Sequence, residues 1–299
     1  MRYQPLGKSR LQASVIGFGC MSLTGNSDNY NIGLLQQAVA AGINFFDTAD
    51  LYDRGHNEII VGRALKEKRK DIIIASKAGN QWRADGSGWD WNPRKAYILT
   101  AVEQSLRRLQ TDYIDLYQLH GGTIADPIDE TIEAFELLQQ QGKIRYYGIS
   151  SIRPNVIREY VKRSNISTVM MQYSLLDRRP EESCLALLQQ HNISVLARGS
   201  LAKGLLVNKP ANAFLNYNSE AVQQAANAIT ALQTAERGNT QIALQFVLQH
   251  PAISSAVVGI RTTEQLQAAV QTMESPALTP AEMERLQQVL PINQYTEHR

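Results

Sequence analysis

Asp47 and Tyr52 stand five positions apart, just beyond a short apolar run, Ile43 to Phe46. The run is too short for a helix and is bounded upstream by Gly42, so it reads as a buried strand. A buried strand that stops in a carboxylate, with a phenol in the polar segment beyond, is how a parallel α/β protein presents catalytic groups at the carboxyl edge of its sheet. Later apolar runs stop in a similar way. Lys77 ends the third, His120 the fourth, Ser150 the fifth and Gln172 the sixth. Arg198 follows the seventh, and Gly259 and Arg261 follow the eighth. Strands must stop somewhere, and a polar residue there is ordinary. An acid, an amine, an imidazole, a hydroxyl, an amide and two guanidiniums, shared out strand by strand, are less so. In a closed barrel these ends meet on one face and serve one site.

The elements that would position them alternate along the chain. Helical patterns over Ile32–Ala41, His56–Glu67, Arg94–Leu109, Ile128–Gln141, Asn155–Ser164 and Glu181–Gln190 each lead into an apolar run. A longer helical region, Ser219 to Gln249, leads to Ser255–Val258, and the tail adds Thr263–Thr272 and Pro280–Val289. The helices carry apolar stripes, such as Phe135, Leu137 and Leu138. Gly42 and Gly142 fit left-handed caps. The strands are near-continuous apolar runs, the mark of a parallel sheet covered on both sides. Residues 2–13 fit a hairpin turning at Leu6-Gly7-Lys8-Ser9. With no linker or composition break, residues 1–299 are expected to form one α/β domain. It is a single (β/α)8 TIM barrel with a short N-terminal β-hairpin and extra C-terminal helices.

Composition narrows the function. The 299 residues are 43% hydrophobic and 19% charged, with a formal net charge of +2, which argues against a nucleic-acid surface. Lys66-Glu67-Lys68-Arg69-Lys70 reads as the solvated end of a helix. Cys20 and Cys184, far apart, give neither a disulfide framework nor metal-ligand spacing, so no metal is expected. The polar stretch from Met1 to Arg10 lacks the apolar core of a secretion signal, and no apolar run approaches a membrane span. A cytoplasmic protein is the expectation. The sequence Gly17-Phe18-Gly19-Cys20-Met21-Ser22 lacks the third glycine of a dinucleotide fingerprint.

The ordered set of local motifs resembles the aldo-keto reductase family across nearly the whole chain. It comprises Asn44–Tyr52, Asn57–Leu65, Ser76-Lys77, Tyr113–His120, Gly142–Ser150, Gln172–Leu176 and Leu201–Leu206. The resemblance implies NADPH-dependent reduction of a small-molecule aldehyde or ketone, with Asp47, Tyr52, Lys77 and His120 as the catalytic tetrad. Tyr52 is then the proton donor to the carbonyl oxygen. A free phenol titrates near ~10, so the ammonium of Lys77 would assist its ionisation, Asp47 would hold Lys77, and His120 would direct the carbonyl.

The same resemblance implies a cofactor site for NADPH/NADP+. Ser150, Ser151 and Gln172 match positions that hold the nicotinamide carboxamide. Ser151 stands where many members have Asn. Arg198 replaces an aromatic that stacks on the nicotinamide, and a guanidinium can also stack on a ring face. Gly199, Leu201, Lys203 and Gly204 lie in the segment that resembles the pyrophosphate cover. Gly259, Arg261 and Gln265 follow the last strand, with Arg261 at the 2′-phosphate position. Ala269 replaces an Asn that often contacts adenine. The alternative is an NADPH-binding regulatory subunit with little catalytic role, and the complete tetrad favours the enzyme. A Schiff-base aldolase is disfavoured, because beside Asp47 and Tyr52 the amine of Lys77 stays charged. Trp82, Trp89, Trp91, Met21 and the segment Leu205–Tyr217 are the expected substrate-facing loops.

Overall fold

A computed structural model describes all 299 residues. A two-stranded antiparallel hairpin, β1 (Tyr3–Pro5) and β2 (Gln12–Ser14), opens the chain. The first barrel strand, β3 (Ile16–Gly19), is followed by helix α1 (Asp28–Ala40). Then come β4 (Phe45–Asp47), α2 (His56–Leu65) and β5 (Ile73–Ala78). A second antiparallel hairpin, β6 (Asn80–Trp82) and β7 (Trp89–Trp91), precedes α3 (Lys95–Leu109). The alternation continues with β8 (Ile114–Leu119), α4 (Ile128–Gln140), β9 (Ile144–Ser150), α5 (Pro154–Arg163) and β10 (Thr168–Gln172). It closes with α6 (Cys184–Gln190), β11 (Ser194–Arg198), α7 (Ser219–Thr230), α8 (Asn239–Leu248), β12 (Ile253–Gly259), α9 (Thr263–Val270) and α10 (Pro280–Gln287).

Eight strands, β3, β4, β5, β8, β9, β10, β11 and β12, pair in parallel and close into a barrel, β12 returning to β3. The (β/α)8 expectation holds, as does the N-terminal hairpin. Two hydrophobic clusters explain why the sequence folds this way. The larger lies between strands and helices and includes Val61, Leu106, Phe135 and Phe246. The smaller fills the barrel interior with Phe45, Ile73, Ala75, Leu116, Met170, Leu196 and Val257. The hairpin contributes Leu6, Leu11 and Ala13 to that inner cluster, so it plugs the barrel end opposite the strand termini. Gly17 lets Phe45 cross the interior, because a Cβ there would lie 2.6 Å from the Phe45 ring.

Helix ends follow local chemistry. Ser27, Asn218 and Thr262 accept from backbone N–H groups as N-caps, and Thr279 with Glu282 closes a capping box ahead of α10. Four details differ from the sequence reading. The region from Ser219 to Gln249 is two helices, interrupted by a tight turn in which Thr234 and Arg237 exchange backbone hydrogen bonds. The buried Arg237 guanidinium ties that turn to Glu282 and to the carbonyls of Leu232 and Ala277. Helix α6 starts at Cys184, after a separate 3-10 turn over Arg179–Glu182. The tryptophan-rich loop is the β6–β7 hairpin. Arg69 is not solvated: it pairs with buried Asp115 at 2.8 Å and lies over the Tyr113 ring.

Candidate active site

Side chains alternate across a strand, so parity fixes what faces the barrel interior. On β4 the sequence of inward positions is Phe45 then Asp47; on β5 it is Ile73, Ala75, Lys77. On β8 it is Leu116, Gln118, His120, on β10 Met170 then Gln172, and on β11 Leu196 then Arg198. Each lower member belongs to the inner apolar cluster. Each column therefore ends in a polar group at the carboxyl face, stacked on an apolar floor.

Lys77 is the centre. It is completely buried, and its ammonium donates to Asp47 Oδ2 at 2.7 Å, to the Thr48 carbonyl at 2.9 Å and to the Tyr52 hydroxyl at 3.3 Å. Burial alone would lower the Lys77 pKa, but the charges of Asp47 and Tyr52 and the hydrogen bonds to them raise it on balance, so the amine stays charged. Burial raises the pKa of Asp47, opposed by the Lys77 charge and hydrogen bond. Burial likewise raises the phenol of Tyr52, with Lys77 acting against it. Tyr52 is thus protonated at neutral pH, with a cation placed to receive the charge left when its proton departs. The His120 ring meets Tyr52 edge-on, with centroids 5.7 Å apart. Burial, followed by the cations Lys77 and Arg198, depresses His120 to about 3, so its imidazole is neutral and carries one N–H. These four groups can offer a carbonyl oxygen an O–H, an N–H and a stabilising positive charge.

Tyr52 is held by a strained turn. Asp53, Arg54 and Gly55 are successively left-handed, with φ of 47°, 52° and 87°. Non-glycine residues adopt this region at a cost of roughly 1–2 kcal/mol each, and such strain persists where surroundings over-determine it. Two supports do so. From above, Trp82 Nε1 donates to the Leu51 carbonyl at 3.3 Å, and Arg54 lies over the Trp82 ring while donating to the Gly86 carbonyl. From below, Gly55 rests on the Arg108 guanidinium, where a Cβ would clash at 2.7 Å. Arg108 is fixed by fully buried Glu58 at 2.7 Å, and Glu58 also takes Ser76 Oγ at 2.5 Å. Between Asp47 and Tyr52, buried Asp50 accepts from Tyr97 OH at 3.1 Å, and its backbone N–H reaches the Lys77 carbonyl.

The expected cofactor residues line one side of the same mouth. Gln172 and Arg198 are register partners at the ends of β10 and β11. The Gln172 amide donates to Asp177 Oδ2 at 3.3 Å. Both Asp177 oxygens are also taken by Arg179 at 2.8 Å, and Asp47 Oδ2 by Lys77. The carboxylates nearest Arg198 are therefore engaged, and its largely buried guanidinium lacks an ion partner; desolvation lowers its pKa. Ser150 ends β9. Ser151 is buried and its hydroxyl accepts from Arg153 N, so it already has a structural duty. Gly199 (φ 70°), Lys203 (φ 59°) and Gly204 (φ 93°) give the loop after β11 a left-handed course, with Leu201 between them. Gly259 ends β12, and Arg261 follows with an exposed side chain and no ion pair to Glu264. Gln265 caps the Arg261 N–H at 2.9 Å, which occupies its side-chain oxygen. Ala269 is fully buried.

This half of the mouth fits a dinucleotide. Arg198, Lys203 and Arg261 supply positive charge free of acidic partners, and the buried hydroxyl of Ser200 has no hydrogen-bond partner. Sequence reasoning passed over Ser200, Asp50, Tyr97 and Gln118. Gln118 carried a signal: it shares the parity of Leu116 and His120, so it faces the barrel interior from the same strand.

Known proteins match this chain over nearly its whole length. The family model described as Aldo/keto reductase family matches residues 15–291. The chain is 52% identical, over 100% of both sequences, to a Bacillus subtilis protein described as uncharacterized oxidoreductase YqkF. It is 33% identical to an Escherichia coli NADH-specific methylglyoxal reductase, over 69% of each chain. The holo form of aldo-keto reductase AKR11C1 from Bacillus halodurans superposes with a TM-score of 0.95 at 50% identity, covering 100% of this chain and 99% of that one. Its apo form, with the same coverage, gives 0.85 at 47% identity.

One consequence concerns pH. Burial first, then the charge of Glu58, raises Asp50 to about 7, against the hydrogen bond from Tyr97 and the charge of Arg108. An unfolded Asp titrates near ~3.9. Below that pH both states are protonated and the contribution to stability is complete. As pH climbs from ~3.9 to about 7, the unfolded chain ionises first and the contribution is lost. Asp50→Asn removes the titration with little change of shape. Relative to Asp50→Asn, the wild-type urea midpoint is expected to fall across that window. A difference that does not vary with pH would contradict the assignment.

Proposed function

We propose that this chain, which belongs to the aldo/keto reductase family and is an NAD(P)H-dependent oxidoreductase, reduces aldehyde or ketone carbonyls with NADPH and Tyr52 as proton donor. The observation that carries the reading is the Tyr52 hydroxyl, held 3.3 Å from a buried, charged Lys77 and beside a neutral His120. When bound, NADPH supplies a hydride for the carbonyl carbon. The residues of the chain handle everything at the oxygen. His120 donates its N–H to the carbonyl and orients it. Tyr52 gives its proton to the oxygen as negative charge develops there, and Lys77 stabilises the resulting phenolate. Asp47 keeps Lys77 charged and in place.

Gln172, with Ser150 and Ser151, would hold the carboxamide, and Arg198 would lie against the nicotinamide ring. Gly199, Leu201, Lys203 and Gly204 would cover the pyrophosphate, and Gly259, Arg261 and Gln265 would receive the adenosine end. The whole chain works as one barrel domain on small carbonyl compounds. Its cysteines, buried and unpaired, suit a reducing cytoplasm. No helix is long and apolar enough to cross a membrane.

Tyr52→Phe is expected to keep the fold and NADPH affinity but to lose carbonyl reduction by at least ~100-fold, the usual worth of a positioned general acid. Near-wild-type turnover in a folded variant would remove Tyr52 from this role. Cofactor choice rests on Arg261, whose fork can donate two charge-assisted hydrogen bonds to a 2′-phosphate. Such bonds contribute ~1.5–3 kcal/mol each. Titration of both cofactors into Arg261→Ala at fixed salt should show NADPH weakened by about one to two decades per bond lost, roughly 1.4 kcal/mol per decade, and NADH barely changed. Equal weakening of both, or of neither, would sink the preference.

A further inference from the structure

Gln118 sits inside the barrel, two residues above Leu116 and two below His120, beside Lys77 in the pairing of β5 with β8. It is entirely buried, and neither its amide oxygen nor its amide nitrogen has a hydrogen-bond partner. One carboxylate oxygen close by is in the same condition. Asp47 gives Oδ2 to Lys77, while its Oδ1 is buried and unpartnered. The Gln118 amide lies near enough to that carboxylate to favour its ionised form. Packing does not explain a glutamine here. A buried amide without partners is less stable than an apolar side chain of its size, and leucine fills the inner layer at positions 116 and 196.

We propose that Gln118 is a positioning residue of the acid–base centre: its amide donates to the free Oδ1 of Asp47, directly or through one ordered water, and so keeps the carboxylate ionised and turned toward Lys77. The inference rests on reading Asp47, Lys77 and Tyr52 as one acid–base unit. Gln118 makes and breaks no bond in the reaction. The other groups around Asp47 are Lys77 on β5, Tyr52 on the strained turn, Arg198 on β11 and Cys20 beyond β3, with His120, higher on β8, facing Tyr52, Lys77 and Arg198. Lys77 alone bonds the Asp47 carboxylate, and only through Oδ2. Because an amide does not titrate, Gln118 adds no ionisation of its own, and its removal changes the pH dependence only through the coupled Asp47, Lys77 and Tyr52. Loss of its support raises the Asp47 pKa, so the activity that needs the carboxylate fails at a higher pH on the acid side.

The test compares Gln118→Leu and Gln118→Met with wild type, using NADPH oxidation with phenylglyoxal as the carbonyl probe. The expected result is a fall in kcat of about tenfold, the rate equivalent of one hydrogen bond to a charged group. The acid limb of the pH profile moves to higher pH, the NADPH dissociation constant holds, and the urea midpoint is equal or higher. Wild-type kcat with an unmoved acid limb in either folded variant overturns the inference. So does a loss of kcat that tracks a lower urea midpoint or weaker NADPH binding while the acid limb stays in place. Tyr52→Phe assayed alongside separates the two levels. An active Tyr52→Phe defeats the underlying reading, whereas an inactive one beside wild-type-like Gln118 variants defeats only the role of Gln118.

Discussion

The buried ion pair of Lys77 and Asp47 is the constraint around which the rest is arranged. Two charges in a barrel interior are costly to desolvate, and breaking such a pair by deleting one partner typically costs about 3–5 kcal/mol. The structure meets the cost with geometry. Lys77 spends one donor on Asp47, one on the Thr48 carbonyl and one on Tyr52. Its three N–H groups are thereby used, and in the proposed mechanism the phenol is the one partner whose charge state changes. Thr48 is itself anchored, its hydroxyl donating to Asn57, which donates in turn to the Cys20 carbonyl. The Thr48 side of the site is therefore tied through Asn57 to the end of β3.

The same constraint accounts for the unusual backbone beside it. Lys77 is fixed at the end of β5, so Tyr52 must come to it from a loop. A run of three left-handed residues turns the chain back sharply enough to do this, and α2 begins immediately afterwards. The turn is pressed between the Trp82 hairpin and the Arg108–Glu58 pair. That arrangement gives the β6–β7 hairpin a role in support as well as any role at the substrate mouth. It also explains why an arginine paired with a buried glutamate belongs under a surface turn: its product is orientation.

Much of this was legible in the sequence, for a physical reason. A strand covered on both faces has to be apolar, so the residue where polarity returns marks its carboxyl end, and a closed barrel brings all such ends together. Asp47, Lys77, His120, Gln172 and Arg198 were visible on that ground alone. The roles of the tetrad came from family resemblance and not from pattern. What stayed hidden depends on contacts between distant segments. The turn that splits Ser219–Gln249 is fixed by Arg237 reaching Glu282, far along the chain. The Trp82–Trp91 hairpin rests on Leu51 and Asp126. Arg69 looked like one member of a basic run because its partner, Asp115, lies far along the chain on β8. Asp50 drew no attention, because the Tyr97 hydroxyl that bonds it comes from α3, far along the chain.

The central claim is that Lys77 and Tyr52 act as one unit and not as two independent contributions. A double-mutant cycle tests it most directly: kcat/KM for carbonyl reduction in Lys77→Met, Tyr52→Phe and the combined variant, each confirmed as folded. Residues that act together are strongly non-additive. The account predicts that either single change removes nearly all the activity the pair supplies and that the second change adds little. Losses that multiply fully in the double variant would contradict it.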